Sequence, residues 1–375
     1  MGEGRDGLLG QWPDAAEAVY LAIQRSIEGV VFVVVDREGP RSYRGEEEWN
    51  EAARSMLHLL VTAAEMEFVP EQEAFRTRGR RLWDALPGEV RDLFMDGRPI
   101  YLSPDELTSN VPLELMCAAE NGDDWVGLNH VLARTPGVAR YREALQETAI
   151  TGPGPPSMVL FADPRHRLPE PRQLPDGTKD PYARQLGFSE VEATALRQRL
   201  GKRFEFVPEG RIYLRDEATL KRFLQGLAED PWIVHFTGHG GYADDEPYLC
   251  LADTGMLPAR GLPDGRFGGS PLVMLNCCLA GLTRPMGGSY RGLVEGFLSR
   301  GAAAVVASSF PVYDFPSMHF STAFYERLLA GQTVGEAILG ARRHVAGRAD
   351  AHPLHWALFA PWGNVNARLG LPERQ

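Results

Sequence analysis

The sequence has little cysteine, no long apolar run and no excess of basic residues, and each absence excludes a class of protein. Four cysteines in 375 residues, two of them adjacent, do not form the framework of a disulfide-stabilised secreted domain. No apolar run approaches transmembrane length, so no membrane partner is expected. A net charge of −11 argues against nucleic-acid binding and is compatible with a basic peptide partner.

Targeting signals and internal repeats are also lacking. Residues 1–6 resemble neither a signal peptide nor a myristoylation site, because Asp6 stands where serine or threonine is needed. We therefore expect a cytoplasmic protein, in a compartment that keeps thiols reduced. An apolar content of 44% and a charged content of 24% are ordinary for a globular protein, and 375 residues suffice for a large α/β unit or for two lobes.

The stretch Pro231–Gly281 contains two short apolar segments, each followed by a chemically capable residue. The first, 232–236, leads to His239 and two glycines, and the second, 271–275, leads to the pair Cys277–Cys278. Continuous apolar runs of about five residues are typical of strands buried on both faces. Parallel neighbours end at the same edge of a sheet, so an imidazole and a thiol are expected to meet there.

Such a meeting fits nucleophilic catalysis, metal binding or ordinary packing. As a catalytic pair, His239 would steer the thiol proton while Gly240 and Gly241 bring backbone N–H groups to an oxyanion. A metal site using His235, His239 and the two adjacent cysteines is disfavoured, because His-x3-His places both imidazoles on one side only in a helix. Packing is the default for a single cysteine, but two reactive groups at strand ends beside glycines favour catalysis.

These residues resemble the two catalytic signatures of the CHAT peptidases, caspase-like proteins related to separase. The similar stretches are His-Phe-Thr-Gly-His-Gly (235–240) and Val-Met-Leu-Asn-Cys-Cys-Leu-Ala-Gly (273–281). In that family the first signature ends in the catalytic His-Gly and the second carries the nucleophile three residues before a glycine, which implies His239 and Cys278. Cys277 stands where the family usually has a small residue. Further similar segments, at 111–116, 292–302, 305–314 and 352–359, extend the resemblance over about residues 80–365.

The resemblance implies an α/β fold with a caspase-like, mostly parallel sheet flanked by helices. Residues 1–150 would form an N-terminal helical segment and a non-catalytic caspase-like lobe, and 157–375 the catalytic lobe. The Gly- and Pro-rich segment 152–156 reads as the linker between them. Independently of the resemblance, the alternation of strand and helix patterns after this linker predicts parallel strands with right-handed crossovers.

Local patterns predict several element boundaries. Apolar spacing predicts a helix over 13–28, and the polar stretch 36–48 reads as a loop. Capping boxes are expected at Ser189–Glu192 and at Thr333–Glu336, each at the start of a helix.

The polar stretch 164–187 and Asp314 are candidates for regulation and specificity. The stretch is long and contains five basic residues, so it is either a solvated loop or an activation loop whose cleavage releases or orders the site. The resemblance to separase places an acidic substrate-binding residue near Asp314, which would select arginine or lysine before the scissile bond. With that preference, the basic stretch would contain self-cleavage sites. Asp314 equally suits the cap of the helix that follows it.

The predicted function is therefore that of a cysteine endopeptidase with the dyad His239–Cys278 and an oxyanion hole that includes the N–H of Gly240. The resemblance implies that stand-alone bacterial members cut specific proteins in stress or antiviral responses. The sequence shows no sensor domain, so the trigger is expected from an upstream protease or a sensor protein. The alternative is a catalytically silent adaptor that binds peptides or partner proteins. No cofactor, metal or nucleic acid is expected.

Overall fold

The structure, a computed structural model, describes residues 18–26, 29–65, 69–119, 124–135, 137, 149–173, 178–286 and 289–371. The described strands up to residue 150 are β1 (Val19–Ser26), β2 (Gly29–Asp36), β3 (Gly39–Gly45), β4 (Ile100–Ser103), β5 (Leu132–Arg134) and β6 (Ala149–Ile150). The helices in the same region are α1 (Glu47–Glu65), α2 (Gln72–Asp84), α3 (Gly88–Leu93) and α4 (Val126–Asn129), with short 3-10 turns at Thr108–Asn110 and Leu113–Leu115.

The rest of the chain alternates strands and helices. Its strands are β7 (Ser157–Ala162), β8 (Arg167–Gln173), β9 (Lys179–Tyr182), β10 (Glu205–Phe206), β11 (Tyr213–Leu214), β12 (Ile233–Thr237), β13 (Gly240–Ala243), β14 (Glu246–Cys250), β15 (Met256–Pro258), β16 (Leu272–Asn276), β17 (Arg284–Met286), β18 (Ser289–Arg291), β19 (Ala304–Ser308), β20 (Phe359–Gly363) and β21 (Arg368–Leu369). Its helices are α5 (Gly187–Leu200), α6 (Leu220–Leu227), α7 (Leu293–Ser299), α8 (Asp314–Leu329), α9 (Val334–Ala346) and α10 (Pro353–Trp356).

A twelve-stranded sheet crosses the molecule. Its order is β10, β7, β12, β16, β19, β20, β5, β4, β1, β2 and β3, and β11 also pairs with β7. Most neighbouring strands are parallel, and the antiparallel pairs are β19–β20, β1–β2 and β2–β3. The predicted fold class, a mostly parallel sheet flanked by helices, is confirmed. The division into lobes at 1–150 and 157–375 stays a prediction, and the sheet continues across it through β20 and β5.

The central strands are buried on both faces, which is why their sequences are continuously apolar. Every residue of β7, β12, β16 and β19 is buried. Along β7, Met158 and Leu160 join the apolar core that includes side chains of α5 and α8, whereas Val159 and Phe161 join the core that includes α6 and α7. The result is a helix–sheet–helix sandwich. Within the described residues, no helix is long and apolar enough to cross a bilayer.

The helix predicted over 13–28 is wrong for the described part of that range, because Val19–Ser26 is strand β1. Five consecutive buried residues begin this strand, which lies between β2 and β4 in the sheet. An apolar run of this length fits a helix face or a doubly buried strand equally well, and pairing on both sides decides for the strand. The loop predicted over 36–48 is also partly wrong, since Gly39–Gly45 forms the edge strand β3.

The polar stretch 164–187 contains two strands rather than a loop alone. Strands β8 and β9 form an antiparallel hairpin, whose connecting residues 174–177 lie outside the described part of the chain. Arg165 lies 4.0 Å from the ring centroid of Tyr182, and Arg172 pairs with Asp180 at 2.6 Å. A second small sheet, β13–β14–β15, follows β12 directly.

Candidate active site

The two strands that precede His239 and Cys278 are parallel neighbours in register. Thr237, the last residue of β12, is paired with Asn276, the last residue of β16. The N–H of Gly238 donates to the Asn276 carbonyl at 3.1 Å, which closes the ladder. His239 and Cys278 each follow the last paired residue of their strand by two positions. Both therefore lie at the same carboxyl edge of the sheet.

Gly240 allows the chain after His239 to lie against the chain at Cys278. A Cβ atom at Gly240 would lie 2.1 Å from the carbonyl oxygen of Cys278 and 3.2 Å from Sγ of Cys277. Since real Cβ atoms do not approach a carbonyl so closely, only glycine fits here without moving the backbone. This contact holds the start of β13 beside the cysteine pair.

The two adjacent cysteines occupy different environments. Cys277 is fully buried and belongs to an apolar core, whereas Cys278 is half-buried. Burial raises the pKa of the Cys277 thiol well above its ordinary value. Burial also raises the pKa of the Cys278 thiol, although hydrogen bonds from the backbone N–H groups of Val312 and of Cys278 itself act in the opposite direction. Of the pair, Cys278 is therefore the more accessible thiol.

The backbone after Cys278 turns sharply and is fastened to the end of β19. Leu279 has a φ of 63°, in the left-handed region that side chains other than glycine rarely adopt. The N–H of Gly281 donates to the Ser308 carbonyl at 2.8 Å, and the Ser309 hydroxyl donates to the Gly281 carbonyl at 2.9 Å. The conformation at the thiol is thus determined by three consecutive sheet strands rather than by a free loop.

His239 is half-buried and makes its hydrogen bond to the stretch that precedes α5. Its Nε2 donates to the carbonyl oxygen of Arg184 at 2.6 Å, which leaves Nδ1 as the nitrogen able to accept a proton. The Arg184 segment is itself anchored, because the N–H of Leu186 donates to Asp163 at 3.2 Å. No hydrogen bond joins the imidazole to the Cys278 thiol among the described residues.

Asp163 is a site residue that the sequence analysis missed. It follows β7, is 2% exposed, and pairs with Arg215 at 2.8 Å. Burial raises the pKa of this carboxyl, against the hydrogen bonds from Arg215 and Leu186 and the nearby His239. The signal was present in the sequence, because a charged residue ends an apolar strand here just as His239 and Cys278 follow theirs.

Asp314 lies in the loop–helix junction after β19 and contacts the start of α5. Its carboxylate accepts a hydrogen bond from the Phe188 N–H at 3.0 Å and one from the Ser189 hydroxyl at 3.4 Å. It does not cap its own helix, since the N-cap of α8 is Tyr313. The predicted role of Asp314 in binding a basic substrate residue stays a prediction.

A fully buried polar cluster lies under the site on the α5 face of the sheet. Glu192 accepts hydrogen bonds from Thr237 at 2.9 Å and from Asn276 at 2.8 Å. Glu192 Oε1 lies 3.1 Å from Nε2 of His235, without the alignment of a hydrogen bond, and His235 Nδ1 lies 3.0 Å from the Tyr325 hydroxyl. The predicted capping box at Ser189–Glu192 is wrong: α5 starts two residues earlier, and Glu192 points inward.

A cavity of about 290 Å³ lies beside the site, between the two halves of the chain. Tyr242 of β13 and the segment 282–284 after the cysteine pair line one side, and residues of the 106–110 segment line the other. Within the described residues, no group of three or more histidine, cysteine or acidic side chains could hold a metal ion. Tyr242 lies three residues after His239 and Leu282 four residues after Cys278, so the cavity adjoins the site, although neither reactive residue lines it.

Comparisons with known proteins relate this geometry to a family. No curated protein matches the chain in sequence. A chain of the Saccharomyces cerevisiae separase–securin complex is similar in structure, with a TM-score of 0.61 and 10% identity over 96% of this chain and 31% of that one. The Arg-specific cysteine proteinase gingipain R (RgpB) gives a TM-score of 0.46 and 13% identity, covering 82% of this chain and 70% of the other.

The separase match shows a shared fold, and this chain spans under a third of that chain's length. The sequence itself matches the family model of the CHAT domain over residues 76–364, which is most of the chain. The predicted resemblance is confirmed, and the chain belongs to the CHAT domain family.

Proposed function

We propose that the protein is a cysteine endopeptidase in which Cys278 is the nucleophile and His239 the general base and acid. One observation carries the proposal: β12 and β16 are parallel neighbours paired up to Thr237 and Asn276, so that both reactive residues leave the same sheet edge at the same level. The half-buried state of Cys278 and the deep burial of Cys277 support the choice between the two thiols.

The proposed reaction begins with proton transfer from the Cys278 thiol to Nδ1 of His239, whose Nε2–H is held by the Arg184 carbonyl. The sulfur attacks the peptide carbonyl, and the N–H groups of Gly240 and Cys278 stabilise the oxyanion. The imidazolium returns the proton to the leaving amine as the C–N bond breaks. Water, deprotonated by the same imidazole, then hydrolyses the thioester and restores the thiol.

The substrate class we propose is protein. Membership of the CHAT family supports a peptide occupant, as does the cavity lined by Tyr242 and the 282–284 segment on one side and by the 106–110 segment on the other. Separase was solved in complex with a protein, securin, which is a second reason to test protein substrates and partners. Cleavage after basic residues, activation by an upstream protease or sensor, action in bacterial stress or defence, and a reducing cytoplasmic location stay predictions.

The stretch 164–187 fits an activation role in one respect. Its last residues contact the site directly, because the Arg184 carbonyl accepts the hydrogen bond of His239. Cleavage within the stretch would therefore change the mobility of a group that orients the proposed base. The self-cleavage predicted from its basic residues is consistent with the exposure of the Arg184 side chain.

A second candidate function is that of a silent adaptor that binds peptides in the same crevice. It is favoured by the raised pKa of the Cys278 thiol and by the absence of an imidazole–thiol hydrogen bond among the described residues. Catalytic hydrogen bonds are often long without substrate, so this geometry is compatible with either function.

Covalent labelling separates the two functions. A library of tagged peptidyl acyloxymethyl ketones, applied at neutral pH, should label the wild type at Cys278, and Cys278→Ala should lose the signal completely. Cys277→Ala is the matched control, and it should keep most of the labelling because its thiol faces the apolar core. Equal labelling of the wild type and Cys278→Ala, or none of either, would favour the adaptor.

A further inference from the structure

Glu192 joins the ends of the two strands that carry the proposed catalytic pair. A single atom, Oε2, accepts from Thr237 Oγ1 at 2.9 Å and from Asn276 Nδ2 at 2.8 Å. Thr237 is the last residue of β12, and Asn276 is the last residue of β16. All three side chains are almost fully buried, with exposed fractions of 1%, 1% and 3%.

The strand alternation explains how these residues meet. On β12, Ile233, His235 and Thr237 share one face, and on β16, Leu272, Met274 and Asn276 share the same face, whereas the intervening residues belong to the opposite core. Helix α5 packs on the first face and directs Glu192 at it. A buried carboxylate is costly unless donors satisfy it, and the two strand ends supply the donors.

The two hydrogen bonds by which Glu192 links Thr237 to Asn276 are called the bridge. The bridge lies at the point where β12 and β16 end and the segments that follow them diverge. Beyond the hydrogen bond from Gly238 to the Asn276 carbonyl, the segment after β12 enters β13, and the segment after β16 turns at Leu279. The backbone ladder then no longer sets the relative position of His239 and Cys278. A side-chain link two residues before both of them limits how far they can shift against each other.

We propose that Glu192 is a positioning residue for the dyad, and this proposal rests on the proposed peptidase function. Helix α5 acts on both members: the segment before it orients His239 through the Arg184 carbonyl, and its second turn joins the strand ends through Glu192. The expected consequence of losing the bridge is a thiol that remains present and reactive but is misplaced relative to the imidazole.

Two substitutions test the bridge. Glu192→Leu removes the shared oxygen at similar volume, whereas Glu192→Gln keeps one amide oxygen able to accept from both donors. The probe is the tagged ketone that gives the strongest labelling of the wild type. Varying its concentration gives the maximal labelling rate and the probe affinity separately. Because small misplacements of reacting groups are costly, Glu192→Leu should lower the maximal rate by about 100-fold with the affinity unchanged, and Glu192→Gln should stay within about fivefold.

Alkylation by iodoacetamide needs the thiol but not the dyad geometry, so its rate at Cys278 should change by less than about threefold in Glu192→Leu. Tyr325→Phe is the matched control, because it removes the His235 contact in the same buried cluster and leaves the bridge intact. Its labelling rate should match the wild type. If Glu192→Leu does not fold, Thr237→Val removes one arm of the bridge and should lower the maximal rate by about tenfold.

Labelling of a folded Glu192→Leu at the wild-type rate would overturn the proposal, as would an equal loss of iodoacetamide reactivity. A wild type that shows no Cys278-dependent labelling would instead overturn the proposed function, and the positioning role with it.

Discussion

At the residue scale, Cys278 is the proposed nucleophile, and its surroundings determine which mechanism is open to it. Burial raises the pKa of its thiol, and the structure gives His239 a hydrogen bond to a carbonyl rather than to the sulfur. The direction of this shift favours the neutral thiol over the thiolate. In the proposed peptidase, the imidazole would take the thiol proton as the sulfur attacks, in contrast to a thiolate–imidazolium pair that exists beforehand.

The pH dependence of alkylation tests this state of the thiol. Since the pKa of Cys278 lies above that of an ordinary thiol, its reaction with iodoacetamide should accelerate by about tenfold per pH unit from pH 6 to 9, without a plateau. Peptide mass spectrometry of the Cys278 peptide gives the rate at each pH. A plateau below pH 8 would contradict the expectation and indicate a preformed thiolate.

Helix α5 is the element on which several contacts of the site converge. The segment before it contacts His239, its first turn contacts Asp314, and its second turn holds the strand ends. Because Asp314 offers a carboxylate to the Phe188 N–H in the first turn of this helix, it also complements the positive end of the helix dipole. The geometry supports a structural role for Asp314 and leaves its predicted role in specificity to experiment.

Replacing Asp314 by asparagine separates these roles. The loss of charge at the helix N-terminus should lower the free energy of unfolding by about 0.5–1 kcal/mol, measured by urea denaturation. Gln198→Ala, an exposed change farther along the same helix, is the control and should have a smaller effect. Labelling by ketones ending in arginine and in leucine should keep its wild-type ratio. A selective loss of about 100-fold for the arginine probe would assign Asp314 to substrate binding.

Elements were predictable from the sequence where one local signal decided them. The apolar strands at 158–162, 233–237 and 272–276 needed no partner to be recognised, and the capping box at Thr333–Glu336 is present as predicted. The strand at 19–26 was not predictable, because only its neighbours distinguish it from a helix. Glu192 was misassigned for a similar reason: its sequence context suits a cap, and only the strand packed beneath it reveals an inward carboxylate.

At the scale of the whole molecule, a buried ion cluster connects the two halves of the chain. Glu114 lies in the Leu113–Leu115 turn and accepts two hydrogen bonds from Arg134, at 2.7 and 2.6 Å, and one from Arg342 of α9, at 2.8 Å. All three side chains are almost completely buried. Burial by itself raises the pKa of the Glu114 carboxyl, but the charges of Arg134 and Arg342 outweigh it and hold the pKa below its ordinary value.

Removing the central charge of this cluster should be strongly destabilising. Glu114→Gln leaves two buried guanidinium groups without their counter-charge, so the free energy of unfolding should fall by about 3–5 kcal/mol in urea denaturation at pH 7. Glu326→Gln is the matched control, because Glu326 makes an exposed pair with Arg199, and its loss should cost less than about 1 kcal/mol. Equal effects of the two changes would show that the cluster does not hold the halves together.

The same cluster makes the free energy of unfolding depend on pH in the acidic range. Because the pKa of Glu114 is lower in the folded state than in the unfolded state, its contribution to stability is fully present above the unfolded value of about 4.3. It is lost as the pH falls through the lower folded value, where the carboxylate takes up a proton. The wild type should therefore lose more stability than Glu114→Gln when urea denaturation is repeated below pH 4.5. Parallel losses in the two proteins would mean that other carboxylates, and not this buried one, control acid unfolding.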